Sequence, residues 1–201
     1  METKPIVYVV DDDISVCKSL ERLIRSAGLD VETFASAQDF LSGKPADRAS
    51  CLILDIKMPG ITGLELQEQL NNMQRTTPII FVTGYGNVPE SVQAMKSGAV
   101  DFLEKPCDET TLLLTIGRAI RKDIQCRRDR EEILAVRKRL DSLTKREREV
   151  FAHVVTGKLN KQIAYDLGIT EKTIKVHRGR IMAKMGANSL ADLVRLAERL
   201  K

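Results

Sequence analysis

The chain has 201 residues, a length that suits two small domains better than one, and either half is large enough to bury its own core. No run of about 20 apolar residues is present, so we expect no membrane span, and the N-terminus shows no signal-peptide pattern. The four cysteines form no CxxC pair, which disfavours disulfide and metal roles for them and predicts a reduced, cytoplasmic setting.

Charge is distributed unevenly along the chain. Residues 1–106 carry 10 Lys/Arg against 15 Asp/Glu, a formal −5, whereas residues 107–201 carry 22 against 13, a formal +9. This asymmetry predicts an acidic module joined to one that binds a polyanion. A random surface bias is the alternative.

The first 120 residues or so alternate between apolar runs and amphipathic stretches. Strands are predicted at 6–10, 29–34, 51–54, 79–82 and 102–104, because strands covered on both faces read as continuous apolar segments. Helices are predicted from Ile14 to a stop at Gly28, and at 35–41, 63–74, 88–97 and 109–121. Five βα repeats predict a parallel sheet with right-handed crossovers.

A charged stretch without Gly or Pro, residues 118–143, then leads to a wholly helical segment. We expect the charged stretch to continue the fifth helix, with a disordered tether as the alternative. Thr144 and Glu147 form a capping box that opens the next helix. Asn160 is predicted to cap a short helix at 161–167, which Gly168 ends before a buried Ile169. Thr170 is predicted to cap a third helix from 171 to about 185, and 188–189 opens a fourth.

Acidic, hydroxyl and basic residues follow the predicted strands at the edge where parallel sheets bind ligands. Asp11 and Asp12 follow the first strand and Asp55 the third, a set of oxygens suited to a hard divalent cation. A carboxylate can also be the nucleophile toward a phosphoryl group, with an ammonium such as Lys105 and a hydroxyl such as Thr83 contacting the phosphate. Taken singly, each residue could instead cap a helix or form a turn. The bond from Lys105 to Pro106 is a candidate cis peptide.

Residues 1–122 resemble the receiver domain of bacterial two-component response regulators. The matching segments are Val9-Val10-Asp11-Asp12-Asp13, Leu54-Asp55-Ile56-Lys57-Met58-Pro59-Gly60, Thr83-Gly84, Ala99-Val100-Asp101-Phe102-Leu103 and Lys105-Pro106. The resemblance implies a flavodoxin-like α/β fold with a five-stranded parallel sheet and five helices. It also implies that a sensor histidine kinase phosphorylates the protein. Cys107 departs from the aromatic residue that often follows Lys-Pro in the family.

The same resemblance assigns roles to individual residues. Asp55 is the implied phospho-acceptor, and Mg²⁺ (or Mn²⁺) is held by Asp12, Asp55 and the backbone carbonyl of Lys57, with Asp11 helping through water. Phosphate binding and switching are assigned to Thr83, Phe102, Lys105 and Pro106. A phosphate would draw the Thr83 hydroxyl toward it and leave space for Phe102, a packing change with two states. The resemblance suggests that residues 88–97 and 101–104 form the dimer surface.

The helical half contains two short helices around a glycine-containing turn, which describes a helix-turn-helix. The second of these is strongly basic, and we expect Ile174, Ile181 and Met185 to face inward. Cations of such a helix contact phosphates, while short side chains near its start reach base edges. A structural bundle with a solvated basic face is the alternative, in which His177 is a packed, hydrogen-bonded residue.

Residues 142–201 look like the LuxR-type DNA-binding domain through Leu143-Thr144-x-Arg146-Glu147, Gly157-x-x-Asn160-Lys161-x-Ile163-Ala164 and the stretch from Thr173 to Met185. With the receiver, the chain resembles the NarL/FixJ family, nearest to the FixJ branch through residues 83–89. The last helix is the expected dimer contact on DNA. Lys175 and Val176 are the expected base readers, and Gly179 stands where some relatives have a basic residue. The predicted DNA contacts are Lys161, Thr170, Lys172, Thr173, Lys175, Val176, His177, Arg178, Arg180 and Lys184.

We therefore expect a receiver at 1–122, a charged helical linker at 123–141 and an all-α, four-helix helix-turn-helix domain at 142–201. We expect the protein to be a phosphorylation-dependent transcription regulator, an activator, that dimerises and binds promoter DNA. Its expected partners include RNA polymerase but no membrane. We expect no enzymatic role beyond its own Mg²⁺-dependent phosphorylation and dephosphorylation. An aspartyl-phosphate phosphatase is one alternative, although no histidine lies in the first 150 residues. A phosphorylation-controlled protein adaptor without DNA binding is another.

Overall fold

The structure, a computed structural model, describes residues 4–44, 46–84 and 88–200. The chain divides into two compact units, with the division between Arg127 and Arg128. Among the described residues, no helix combines the length and the apolar character that crossing a bilayer requires.

The first unit is built on a five-stranded parallel sheet in the order β2-β1-β3-β4-β5. Its elements are β1 Ile6–Val10, α1 Ile14–Ser26, β2 Asp30–Phe34, α2 Ala37–Ser42, β3 Ser50–Leu54, α3 Gly63–Asn72, β4 Ile79–Thr83, α4 Val88–Lys96, β5 Asp101–Glu104 and α5 Glu109–Asp141. The predicted alternation of five strands and five helices is thus confirmed.

Side chains on the two faces of the sheet pack into separate apolar clusters. Tyr8, Leu54 and Phe81 belong to one cluster, and Val9 and Ile53 to the other. All five positions of each of β1, β3 and β4 are buried. This burial on both faces explains why the three strands read as unbroken apolar runs in the sequence.

Helix α5 runs without interruption from Glu109 to Asp141, so the stretch predicted as a linker is helical and the tether alternative is wrong. Its early turns pack into the first unit through buried side chains such as Ile116. Further along, the buried carboxylate of Asp123 accepts a hydrogen bond of 2.8 Å from the backbone N–H of Ser50 and another of 2.8 Å from Arg127 Nε. These contacts attach α5 to the start of β3.

The second unit contains α6 Lys145–Val155, α7 Asn160–Leu167, α8 Glu171–Met185 and α9 Leu190–Glu198. Its core also takes in Val136 from α5, which is only 4% exposed. Thr144, Thr170 and Ser189 cap their helices through side-chain oxygens, and Thr144 forms the predicted capping box with Glu147.

The predicted capping role of Asn160 is wrong. Asn160 is the first residue of α7, and the N-cap position belongs to Leu159. The backbone N–H of Leu159 donates to Gln162 Oε1 at 2.9 Å, while Asn160 Oδ1 accepts from Arg178 Nη1 at 3.0 Å. Because the Asn160 oxygen is engaged by a guanidinium from α8, it serves contact between helices. Ile169, expected to be buried, is half-buried at the edge of the core.

Candidate functional site: an acidic crevice and a basic helix

Three carboxylates converge at the ends of β1 and β3. The two strands pair in parallel with Val10 opposite Leu54, so that Asp11 and Asp55 leave the sheet side by side. One oxygen from each of Asp11, Asp12 and Asp55 lies within 4.8 Å of the others. Asp11 is 3% exposed and Asp55 8% exposed, whereas Asp12 faces solvent. The structure therefore brings together the predicted carboxylates and leaves them a route to water.

Backbone hydrogen bonds orient the two buried carboxylates. The N–H of Asp13 donates to Asp11 Oδ1 at 3.0 Å, and the N–H of Ile56 donates to Asp55 Oδ1 at 2.8 Å. The alternative in which these acids simply cap a helix holds for Asp13, whose carboxylate accepts from the N–H groups of Ser15 and Val16 at the start of α1.

Lys105 reaches into the same crevice from the end of β5. Its Nζ lies 2.5 Å from Asp11 Oδ2 and 3.6 Å from Asp55 Oδ2. Its backbone N–H donates to the carbonyl of Thr83 at 2.9 Å, which ties β5 to the end of β4. The bond from Lys105 to Pro106 is cis. One ammonium thus stands between the two buried carboxylates.

The pKa values of this pair move in the same direction. Burial raises the pKa of Asp11 above its usual value, although the hydrogen bonds from Lys105 and from the Asp13 N–H oppose it. Burial alone would lower the pKa of Lys105, but bonding to Asp11 outweighs burial, and this pKa is raised. The ammonium therefore keeps its charge in the crevice at neutral pH.

The carboxylate oxygens of Asp11, Asp12 and Asp55 suit a hard cation such as Mg²⁺. Mg²⁺ binds oxygen ligands and keeps several waters, usually with one or two protein carboxylates. Asp12 and Asp55 can supply two such carboxylates, and the exposure of Asp12 leaves access for water. Lys57, whose carbonyl is a predicted ligand, is exposed two residues after Asp55 in the loop before α3.

The predicted switch residues occupy neighbouring strands. Thr83 ends β4 and is 1% exposed, and Phe102 lies half-buried in β5, opposite Phe81. The rings of Phe81 and Phe102 have their centroids 6.4 Å apart. Residues 85–87, part of the stretch that resembles the FixJ branch, lie outside the described residues.

Sequence reasoning missed one residue at this site, Gly63. A Cβ built on Gly63 would lie 2.1 Å from the carbonyl oxygen of Asp55, and the Gly63 N–H donates to the Ile56 carbonyl at 2.9 Å. The start of α3 therefore leans directly on the backbone of the candidate phospho-acceptor. Gly63 follows the capping residue Thr62, so its sequence context marked only the beginning of a helix.

The predicted DNA-contacting residues group on α8 and near the start of α7. Ile174, Ile181 and Met185 are buried as predicted, and they form the side of α8 that packs into the core. The exposed members of the predicted set are Lys161, Thr170, Lys172, Thr173, Lys175, Val176, Arg180 and Lys184, and His177 and Arg178 are half-buried. His177 Nδ1 is buried and has no hydrogen-bond partner among the described residues.

Some of these side chains also hold the unit together. Lys184 Nζ lies 2.7 Å from Glu147 Oε2 and 3.1 Å from the Ser142 carbonyl, and Thr170 caps α8. Hydrogen bonding from Lys184, followed by that from the Thr144 N–H, lowers the pKa of Glu147 to about 2. Lys184 and Thr170 therefore have structural roles, and DNA contacts by them stay predictions.

Two protein families match the chain, one in each half. Residues 7–117 match the response regulator receiver domain, and residues 141–197 match the bacterial regulatory proteins of the luxR family.

Individual relatives match this chain over almost its whole length. The chain is 45% identical to nodulation protein W of Bradyrhizobium diazoefficiens over 198 residues, which is 98% of this chain and 87% of that protein. It is 43% identical to the transcriptional regulatory protein FixJ of Rhizobium meliloti over 191 residues, 95% of this chain and 94% of that one. Among solved structures, the response regulator StyR matches with a TM-score of 0.86 and 46% identity, covering 98% of this chain and 100% of that one.

Proposed function

Because this chain belongs to the NarL/FixJ family of two-component response regulators, which are phosphorylation-dependent transcription regulators, we propose that Asp55 is its phospho-acceptor. The observation that carries the proposal is the convergence of Asp11, Asp12 and Asp55 around one crevice, with the Lys105 ammonium between two of them. A cognate sensor histidine kinase is the proposed donor.

The geometry favours Asp55 Oδ2 as the attacking atom. Asp55 Oδ1 is engaged by the Ile56 N–H, whereas Oδ2 faces Lys105 at 3.6 Å. In the transfer, Oδ2 forms a bond to phosphorus as the P–N bond of the donor phosphohistidine breaks, and the bonding electrons return to the imidazole. Lys105 and the Thr83 hydroxyl would then contact the new phosphoryl oxygens, with Pro106 fixing the loop that carries the lysine.

Asp11, Asp12, Asp55 and the Lys57 carbonyl are the proposed holders of Mg²⁺ (or Mn²⁺) in the crevice. Bound there, the cation would supply positive charge against the repulsion between the carboxylates and an incoming phosphate. The exposure of Asp12 supports this role because Mg²⁺ keeps part of its water shell. We propose that the same crevice also promotes hydrolysis of the acyl phosphate.

Phosphorylation would act on the surface formed by α4 and β5. Movement of the buried Thr83 hydroxyl toward the phosphate would let the half-buried Phe102 ring turn inward. Helix α4 carries three exposed apolar side chains, Val88, Val92 and Met95, which support a homodimer contact there. We propose that the dimer activates transcription in the cytoplasm through contact with RNA polymerase.

DNA recognition is proposed for α8, with Lys175 and Val176 reading bases. Both are exposed on the same helix as Ile174, which anchors that helix in the core.

The proposed domain division is a receiver at 1–122, a linker at 123–141 and a DNA-binding domain at 142–201. A pair of such units would bind two related half-sites.

The test of the acceptor is Asp55→Asn with acetyl phosphate and Mg²⁺ as the phosphoryl source. The wild-type chain should gain the mass of one phosphoryl group, which hydroxylamine removes, and the Asp55→Asn chain should gain none. Asp13→Asn is the matched control, because this neighbouring acid caps α1 and does not belong to the cluster. Full labelling of the Asp55→Asn chain, or equal loss in the control, would refute the assignment.

A further inference from the structure

A hollow lined by six residues lies between the start of α7 and the first half of α8. It is lined by Leu159, Asn160, Lys161, Glu171, Lys175 and Arg178. Three of these side chains are cationic and one is a carboxylate. Glu171 stands four residues before Lys175 on the same helix, a spacing at which opposite charges stabilise each other. The net charge of the hollow is positive and suits one anionic group.

Asn160 connects the two walls of this hollow. Its Oδ1 accepts a hydrogen bond of 3.0 Å from Arg178 Nη1, and Arg178 is half-buried. A guanidinium has five N–H donors in a rigid plane. One bond to Asn160 therefore restricts how that plane is oriented and leaves other donors for an anion.

The N-cap residue of α7 offers no side-chain oxygen to the first N–H groups of its helix. Leu159, at the N-cap position, has no side-chain oxygen, unlike the threonines and the serine that cap α6, α8 and α9. Lys161 follows immediately in the first turn. A helix start without a capping side chain is compatible with an external anion, since its first N–H groups carry partial positive charge.

We propose that this hollow seats one backbone phosphate of DNA, and that Asn160 is a positioning residue that acts through Arg178. The inference rests on the proposed DNA-binding role of α8 and adds to it the chemical group that is held and a residue that does not itself read sequence. Lys161 and Arg178 contact the phosphate, and Lys175, the proposed base reader, adds only its positive charge to the hollow. Asn160 fixes the Arg178 guanidinium so that less side-chain freedom is lost when the phosphate arrives.

The experiment measures binding of the full-length protein to a short duplex of arbitrary sequence over a series of KCl concentrations. A generic duplex suffices because phosphate contacts do not depend on sequence. Loss of one phosphate contact in Arg178→Ala should reduce the slope of log K against log [KCl] by about 1. Asn160→Ala should weaken binding by roughly 2- to 10-fold, the size of one hydrogen bond.

The double variant tests whether Asn160 acts through Arg178. If it does, Asn160→Ala adds nothing in the Arg178→Ala background, so that the double variant binds as Arg178→Ala does. Gln162→Ala is the matched control at the same helix start, because it removes the bond to the Leu159 N–H without touching Arg178. This control should leave the salt slope unchanged. A further loss of affinity in the double variant would overturn the proposal.

Asn160→Asp separates a phosphate seat from a structural role. A carboxylate in the first turn favours the helix, so thermal stability should hold or rise. It can still accept from Arg178, but it places negative charge in the hollow, and binding should fall further than in Asn160→Ala. Wild-type affinity in Asn160→Asp would overturn the inference alone. A wild-type chain that binds no duplex at all would overturn the DNA-binding function with it.

Discussion

Replacing Gly63 by alanine tests how closely α3 rests on the candidate acceptor. The added Cβ would meet the Asp55 carbonyl oxygen at 2.1 Å and the Asp55 carbonyl carbon and Ile56 Cα at 3.0 Å. To bring the first contact to 3.0 Å, the chain must open by at least about 0.9 Å. All three atoms belong to the backbone, so no side chain can simply turn away. Overpacking of this kind costs about 1–3 kcal/mol.

The matched control is Gly117→Ala in α5. Outside its own helix backbone, the added Cβ would meet Arg121 Nη1 at 3.5 Å, an ordinary contact with a flexible side chain. Alanine inside a helix should stabilise the chain by about 0.5–1 kcal/mol relative to glycine. The two changes should therefore shift the unfolding free energy in opposite directions.

Urea unfolding followed by circular dichroism measures both variants, and acetyl phosphate labelling measures the crevice. Gly63→Ala should unfold at a lower urea concentration and label more slowly, because the peptide that carries Asp55 has moved. Gly117→Ala should label as the wild type does. A Gly63→Ala chain with wild-type stability and labelling would show that the contact with the Asp55 carbonyl is not a constraint.

Three further predictions concern contacts inside the units. The pKa of Glu147 is lowered to about 2, first by its hydrogen bond with Lys184, so this carboxylate contributes stability above pH about 4.5 that is lost as pH falls toward 2. Between these pH values the unfolding free energy of the wild type should therefore fall more steeply than that of Glu147→Gln. Equal slopes of unfolding free energy against pH in the two proteins would contradict this role of Glu147. Gln67→Leu should lower the unfolding free energy by about 1 kcal/mol, measured in urea, because the buried amide donates to the Ala94 carbonyl of α4 at 3.1 Å. Val136→Ala should cost about 2 kcal/mol and Leu134→Ala, at a position 46% exposed, less than about 0.5 kcal/mol; equal costs would place Val136 outside the core.

The acidic crevice could be predicted from sequence because its residues follow apolar strands. Buried parallel strands are recognisable one by one, and their carboxyl ends share an edge, so Asp11 and Asp55 can be brought together across 44 positions without any contact being known. The role of Gly63 could not be predicted in this way. Its importance depends on the distance between the start of α3 and one carbonyl, and a helix-starting glycine has the same local pattern whether or not a neighbour lies beneath it.

The error at Asn160 has a related cause. Asparagine before a helical run is a common cap, and local pattern alone favours that role. The competing partner, Arg178, lies 18 positions away and becomes visible only when α7 and α8 pack. When a side chain can bond either to its own helix or to a neighbouring one, tertiary contacts determine which partner it takes. Local sequence propensity carries no information about those contacts.

The charged stretch between the two family-matched segments has the most irregular spacing of apolar residues, and the packing of helix α5 explains this spacing. Its apolar side chains serve two different cores: Ile116 and Ile120 pack in the first unit, and Val136 and Leu140 in the second. All of residues 125–135 are described, and none of their side chains is buried. A helix that packs against one core shows one continuous apolar stripe. A helix whose ends pack into separate cores needs no common stripe, so irregular apolar spacing in a charged, glycine-free stretch is compatible with a helix that is firmly packed at both ends.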